Sequence, residues 1–231
     1  MKRINLLFTG QELDENILEE LPIQFYVSVL PFIKTELLTN KHLIEQLNFI
    51  TESESQVIVT SNIAAKWITK YAINIPNWKI ACMTGKTQDV FVTNEWKKLI
   101  VLTDQKSELL AENVEKVFSK SQKVYFITGD RHLNIIPLYL SKKGFDIETI
   151  ITYHTKEVEQ NMEVNYDGII FLSPSAVKSF FRQHKISIEI PLFAIGETTA
   201  TALKKIVFNP IITSSKPTQK ILFHTIQQFF K

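Results

Sequence analysis

Short runs of apolar and β-branched residues recur along the chain, and amphipathic stretches of helical period stand between them. The runs are "INLLFT", "FYVSVLPF", "QVIVTS", "KIACMT", "LIVLT", "KVYFITG", "FDIETIITYH", "DGIIFLS", "LFAIG" and "PIITS". This alternation predicts βα units built around parallel sheets. Most runs end in a hydroxyl residue, Gly or Asp before the helical stretch begins. Such residues cap helix N-termini or let the backbone turn tightly, so main-chain N–H groups are expected to gather at the carboxyl edge of each sheet.

The pattern is duplicated. Ser61 in "VIVTSNIAAKWI" and Ser173 in "GIIFLSPSAVKSFF" lie 112 residues apart, and Gly85 in "CMTGKTQ" and Gly196 in "FAIGETT" lie 111 apart. Thr103 and Thr213, each closing a strand before a helix, are separated by 110. The next unit, "VYFITGDRHL", has no partner downstream. If the count runs on from Lys231 to Met1, its Gly129 is followed after 112 residues by Gly10 of "NLLFTGQEL", and Phe145 in the same way by Tyr26.

Two copies of a five-unit domain fit these spacings, one copy split so that its last two strands open the chain. The reading is α/β: two similar flavodoxin-like domains with parallel sheets, one discontinuous, joined by a two-stranded antiparallel link. Residues 1–30 and 157–231 form the discontinuous domain and residues 33–150 the inserted one, with the link in 26–36 and 150–156.

Composition narrows the functional classes. The charged residues are interspersed and leave a formal net charge of +2, so neither nucleic acid nor a membrane is an expected partner. No apolar run approaches the roughly 20 residues that span a bilayer, and "MKRINLLFTGQELDE" has no signal-peptide character. The expectation is a cytoplasmic protein. Cys82 is the single cysteine; it precludes an intrachain disulfide, offers no Cys framework for a metal, and reads as core within an apolar strand. "TGKT" is not a phosphate-binding P-loop, because the first Gly of that motif would fall on Ile80.

"FLSPSAVKSFF", "LFAIGETTATAL" and "SSKPTQKILFHTI", with "IVTSNIAAKWI", "IACMTGKT" and "YHT" upstream, resemble the uroporphyrinogen-III synthase family. "FTGQ" departs from it, with Gly10 where family members often carry Arg. The resemblance implies two α/β domains on a two-stranded link and a cofactor-independent lyase acting in haem biosynthesis; a monomer is the expectation. Its substrate is hydroxymethylbilane, a linear tetrapyrrole bearing acetate and propionate chains. Loss of the terminal hydroxyl yields an azafulvene. Attack through the substituted carbon of the last ring and rearrangement of a spiro intermediate then close the macrocycle with that ring inverted. No redox step occurs and no cofactor or metal is implied, so the protein's task is to hold a reactive chain in one conformation, at an interdomain cleft.

Helix N-termini and hydroxyls suit the substrate's carboxylates. The candidate binding positions are Thr60, Ser61 and Asn62; Thr84, Gly85, Lys86 and Thr87; Gly129, Asp130 and Arg131; Ser173, Pro174 and Ser175; and Gly196, Glu197, Thr198 and Thr199. Each hydroxyl or carboxyl among them also reads as an ordinary helix cap. Tyr153 matches the family's tyrosine in the returning crossing, where its phenol hydrogen-bonds the departing hydroxyl; the alternative is an aromatic packed under the link. Strand alternation points His154 to the opposite face from Tyr153. A second class of function remains open on sequence alone, a cytoplasmic two-domain protein that binds or senses a small anion without catalysis.

Overall fold

The computed structural model describes residues 3–162 and 165–231. The chain divides into two compact units, Met1–Lys34 with Lys156–Lys231, and Thr35–Thr155. It begins with β1 (Ile4–Phe8), α1 (Glu15–Glu20) and β2 (Phe25–Val29) and passes through β3 (Ile33–Leu37). The second unit then follows as α2 (Lys41–Thr51), β4 (Ser55–Val59), α3 (Asn62–Tyr71), β5 (Trp78–Met83), α4 (Lys86–Thr93), β6 (Ile100–Asp104), α5 (Ser107–Val117), β7 (Val124–Gly129), α6 (Ile135–Lys142) and β8 (Ile147–Glu157). The chain returns to the first unit with β9 (Gly168–Phe171), α7 (Pro174–Gln183), β10 (Leu192–Ala194), α8 (Glu197–Lys204), β11 (Ile211–Thr213) and α9 (Gln219–Phe229).

One sheet runs β11-β10-β9-β1-β2 and the other β3-β8-β7-β4-β5-β6. In chain order the first is 2-1-3-4-5, the flavodoxin order. Leaving β3 aside, the second has the same spatial arrangement with its first strand at β4. The residue pairing repeats as well. Val57 faces Ile80, and 112 residues on Ile169 faces Leu192; Cys82 faces Thr103 as Ala194 faces Thr213. The third pairing shifts by one residue, since Val57 faces Tyr125 whereas Ile169 faces Leu7.

The strands are apolar along their whole length because helices cover both faces of each sheet. Val57 and Val59 enter one core cluster with Ala64, Trp67 and Ile68 of α3, while Ile58 between them enters another with Leu110 and Val114 of α5. The first unit repeats the division, with Ile169 and Phe171 against Phe180 of α7 and Ile170 against Phe223 of α9. β3 extends the second sheet beyond β8. Leu38 N donates to Thr152 O (2.8 Å) and Val158 N to Phe32 O (3.0 Å). Partner numbers fall as β3 numbers rise, so these two crossings are antiparallel.

Candidate active site

Parallel strands bring all their carboxyl ends to one edge, and in open α/β sheets ligands bind outside that edge where the winding reverses. In the second unit the reversal lies between β4 and β7. The turn after β4 holds Thr60, Ser61 and Asn62, and the turn after β7 holds Asp130, Arg131 and His132. Ser61 has extended backbone and caps α3, its Oγ accepting from Ile63 N (3.2 Å) and Ala64 N (3.5 Å).

Tyr153, one strand further on in β8, reaches back to this point. Its hydroxyl lies 2.8 Å from Ser61 Oγ. Two local features aim it there. The pairing of β7 with β8 slips at its end, so that Thr128 faces Ile151 but Gly129 faces Tyr153, with Thr152 passed over. A bulge of this kind re-aims a side chain: under strict alternation Tyr153 would oppose Ile150, whereas both pack against the core cluster that includes α3. The second feature is Gly129, where a Cβ would collide with Cζ and Cε2 of the Tyr153 ring. The ring occupies the space that any other residue at 129 would fill.

Asp130 fixes the backbone beside the bulge. Its N–H donates to Tyr153 O (3.1 Å), and its Oδ1 accepts from Thr155 N (2.9 Å). Its other oxygen, Oδ2, is 3.3 Å from His154 Nδ1. Burial pushes the Tyr153 phenol above its ordinary pKa; the Ser61 hydrogen bond pulls it down, and the Asp130 charge pushes it up. The phenol is therefore protonated at neutral pH.

The remaining positions are dispersed along the two edges. Thr84 N is bound by Asp104 O (2.9 Å), and Gly85 follows with φ of 84°, a left-handed conformation that favours glycine. Lys86 begins α4 and is exposed. Asp130 and Arg131 are exposed as well. In the first unit Ser173 caps α7, its Oγ accepting from Ala176 N (3.1 Å), with Pro174 in the first turn and Ser175 half-buried beside it. Gly196 precedes α8 in extended conformation, and Glu197 and Thr198 are exposed in its first turn. Thr87 and Thr199 lie in the interior, so their side chains do not reach the edge. Gly10 stands at the carboxyl end of β1, where a Cβ would meet Leu172 Cδ1 and Phe8 Cε1 at 2.6 Å. Its partner position, Gly129, makes room for a tyrosine; Gly10 makes room for packing.

The uroporphyrinogen-III synthase (HemD) family model matches residues 22–224. The chain belongs to the uroporphyrinogen-III synthase family. A uroporphyrinogen-III synthase of Schizosaccharomyces pombe is 28% identical over 138 residues, which are 54% of this chain and 52% of that protein. The chain thus matches about half the length of this curated relative. Among solved structures, a uroporphyrinogen-III synthetase of Helicobacter pylori has a TM-score of 0.67 at 13% identity, covering 99% of this chain and 100% of that one. A uroporphyrinogen III synthase mutant of Thermus thermophilus has a TM-score of 0.68 at 12% identity, covering 98% and 97%. At these identities the structural likeness speaks to the fold, the two-domain α/β architecture of the family.

Within this family member, the motifs that carried the resemblance occupy the carboxyl ends of β4, β5, β9, β10 and β11, except "YHT", which lies within β8. What the sequence reading missed is the pairing of Ser61 with Tyr153, which are 92 residues apart. It also missed the interior placement of Thr87 and Thr199. A signal for the latter was present: each stands four residues before a buried apolar residue of its helix, Phe91 and Leu203, and so shares its inward face.

Proposed function

We propose that this chain converts hydroxymethylbilane to uroporphyrinogen III, with loss of water and inversion of the terminal pyrrole. The observation that carries the reading is the Tyr153 phenol, protonated and held at the reversal point of a sheet in a chain of this family. Tyr153 gives its proton to the departing hydroxyl. General acid assistance of this kind accelerates C–O cleavage by roughly 10²–10⁴-fold.

The carboxyl edges receive the acetate and propionate chains. The turns formed by Thr60, Ser61 and Asn62, by Thr84, Gly85 and Lys86, and by Gly129, Asp130 and Arg131 serve in the second unit. Ser173, Pro174 and Ser175 and Gly196, Glu197 and Thr198 serve in the first, with Thr87 and Thr199 supporting their turns from below. Residues 1–30 with 157–231 and residues 33–150 act as the two substrate-handling domains, and 26–36 with 150–156 as their link. Among the described residues no helix is long and apolar enough to cross a membrane, and the reading places the enzyme in the cytoplasm as a monomer.

The test is to supply freshly prepared hydroxymethylbilane and separate the products by isomer. Isomer III is expected in excess over the non-inverted isomer that forms spontaneously in water. Only the non-inverted isomer, formed at the spontaneous rate, would overturn the proposal.

A further inference from the structure

The hydrogen bond between Ser61 and Tyr153 has two possible directions, and its surroundings distinguish them. Ser61 Oγ already accepts from Ile63 N (3.2 Å) and Ala64 N (3.5 Å) at the start of α3. A hydroxyl oxygen has two lone pairs and one proton. With its acceptor side turned to the helix, Ser61 has its proton left to give, and the Tyr153 oxygen 2.8 Å away is the acceptor within reach.

We infer that Ser61 donates to the Tyr153 oxygen, leaving the phenol proton free for the substrate and stabilising the phenolate that remains once that proton has gone. This deepens the cyclase reading above and rests on it for the identity of the substrate. Ser61 is thereby a positioning residue acting through Tyr153: its turn belongs to the carboxyl edge, while its side-chain proton is committed to the phenol.

The proton balance closes without a further reagent. The Tyr153 O–H bond breaks as its proton joins the departing hydroxyl, the C–O bond breaks, and water leaves an azafulvenium cation beside a phenolate. After ring attack and rearrangement, the carbon that must regain aromaticity releases one proton, which restores the phenol. Between these events the phenolate faces Ser61 Oγ–H, and the N-terminus of α3 lies directly behind it. Two backbone N–H groups that donate to one hydroxyl oxygen thus polarise its O–H toward the charge. The same bond opposes the effect of burial and of Asp130 on the phenol. Asp130, itself 3.3 Å from His154 Nδ1, is the charged group acting on that ring, so the relay works against a neighbouring carboxylate.

The experiment combines two readouts on wild type, Ser61→Ala, Ser61→Thr and Tyr153→Phe. Phenolate absorbance, taken as the difference between each protein and its Tyr153→Phe counterpart, follows the ionisation of Tyr153 without any substrate. Ser61→Ala is expected to move that ionisation to higher pH and Ser61→Thr to restore it. Turnover of Ser61→Ala should fall roughly 10- to 100-fold, the worth of a hydrogen bond to a charged group, with KM little changed. Ser61→Ala should add nothing further in a Tyr153→Phe background. If Ser61→Ala fails to fold, Ser61→Gly removes the same hydroxyl while keeping a residue that helix N-caps accept. An unmoved phenol titration, or losses that multiply in the double variant, would overturn the relay. An inactive wild-type protein would count against the cyclase reading, while the titration would still decide the direction of the hydrogen bond.

Discussion

Gly129 and Tyr153 share one volume: a Cβ on the glycine would stand 2.7 Å from the tyrosine oxygen and closer still to two ring carbons. The glycine is thus a requirement of the tyrosine's position and not of backbone conformation, because it closes a regular strand, β7, without a positive φ. Gly129→Ala tests this directly. The ring must swing off Ser61, and overpacking is expected to cost about 1–3 kcal/mol, read from the denaturant midpoint. Turnover should drop toward that of Tyr153→Phe. Unchanged turnover would show that the ring tolerates the displacement.

Edge hydroxyls that only assist binding should show graded effects. Thr198 is exposed at the start of α8, so Thr198→Val should leave stability nearly unchanged. It should weaken turnover by no more than a typical hydrogen bond, about 0.5–1.5 kcal/mol. Abolished turnover in a folded Thr198→Val protein would mean that this hydroxyl takes part in the chemistry.

Alkaline pH should weaken the fold through one buried acid, Cys82, and one half-buried acid, Tyr153. Burial pushes the Cys82 thiol up to about 12, and Tyr153 is also raised. A raised acid remains protonated in the folded state while its unfolded counterpart ionises. Stability is therefore constant below the unfolded pKa and falls as pH rises above it, by about 1.4 kcal/mol per pH unit for each group. The Cys82 contribution begins to fall near an ordinary thiol pKa and that of Tyr153 near about 10. Cys82→Ala should flatten the lower part of this decline in a urea titration across pH. At neutral pH the Cys82 thiol should react with a disulfide reagent only as the protein unfolds.

Trp67, Trp78 and Trp96 are all buried in the second unit, and the sequence has no other tryptophan. Tryptophan emission should therefore follow that unit alone. Comparing its denaturant transition with far-ultraviolet circular dichroism shows whether the two units unfold together, since coincident curves mark a single cooperative transition.

The βα alternation and the repeat were legible because strand periodicity and turn residues are local, and the duplication keeps them near one offset. Ser61 and Ser173 both cap helices after equivalent strands. β3 was not separable from β2 in "FYVSVLPFIK", since the apolar, extended run passes through Leu30, Pro31 and Phe32 into Ile33 without a turn signal other than the proline. The Ser61–Tyr153 pairing was invisible for a different reason. It depends on the slip that passes over Thr152, and that slip belongs to the pairing of two strands, not to the composition of either. Alternation alone leaves Tyr153 on either face of β8, and Gly129 decides between them only once its neighbour is known.

The measurement that bears most directly on the role of Tyr153 is the rate and isomer composition of product from Tyr153→Phe. The substitution keeps the ring over Gly129 and removes only the hydroxyl. The protein should fold, hydroxyl loss should slow by roughly 10²–10⁴-fold, and the residual product should still be isomer III, because inversion depends on how the chain is held. A folded Tyr153→Phe protein turning over at the wild-type rate would contradict the account.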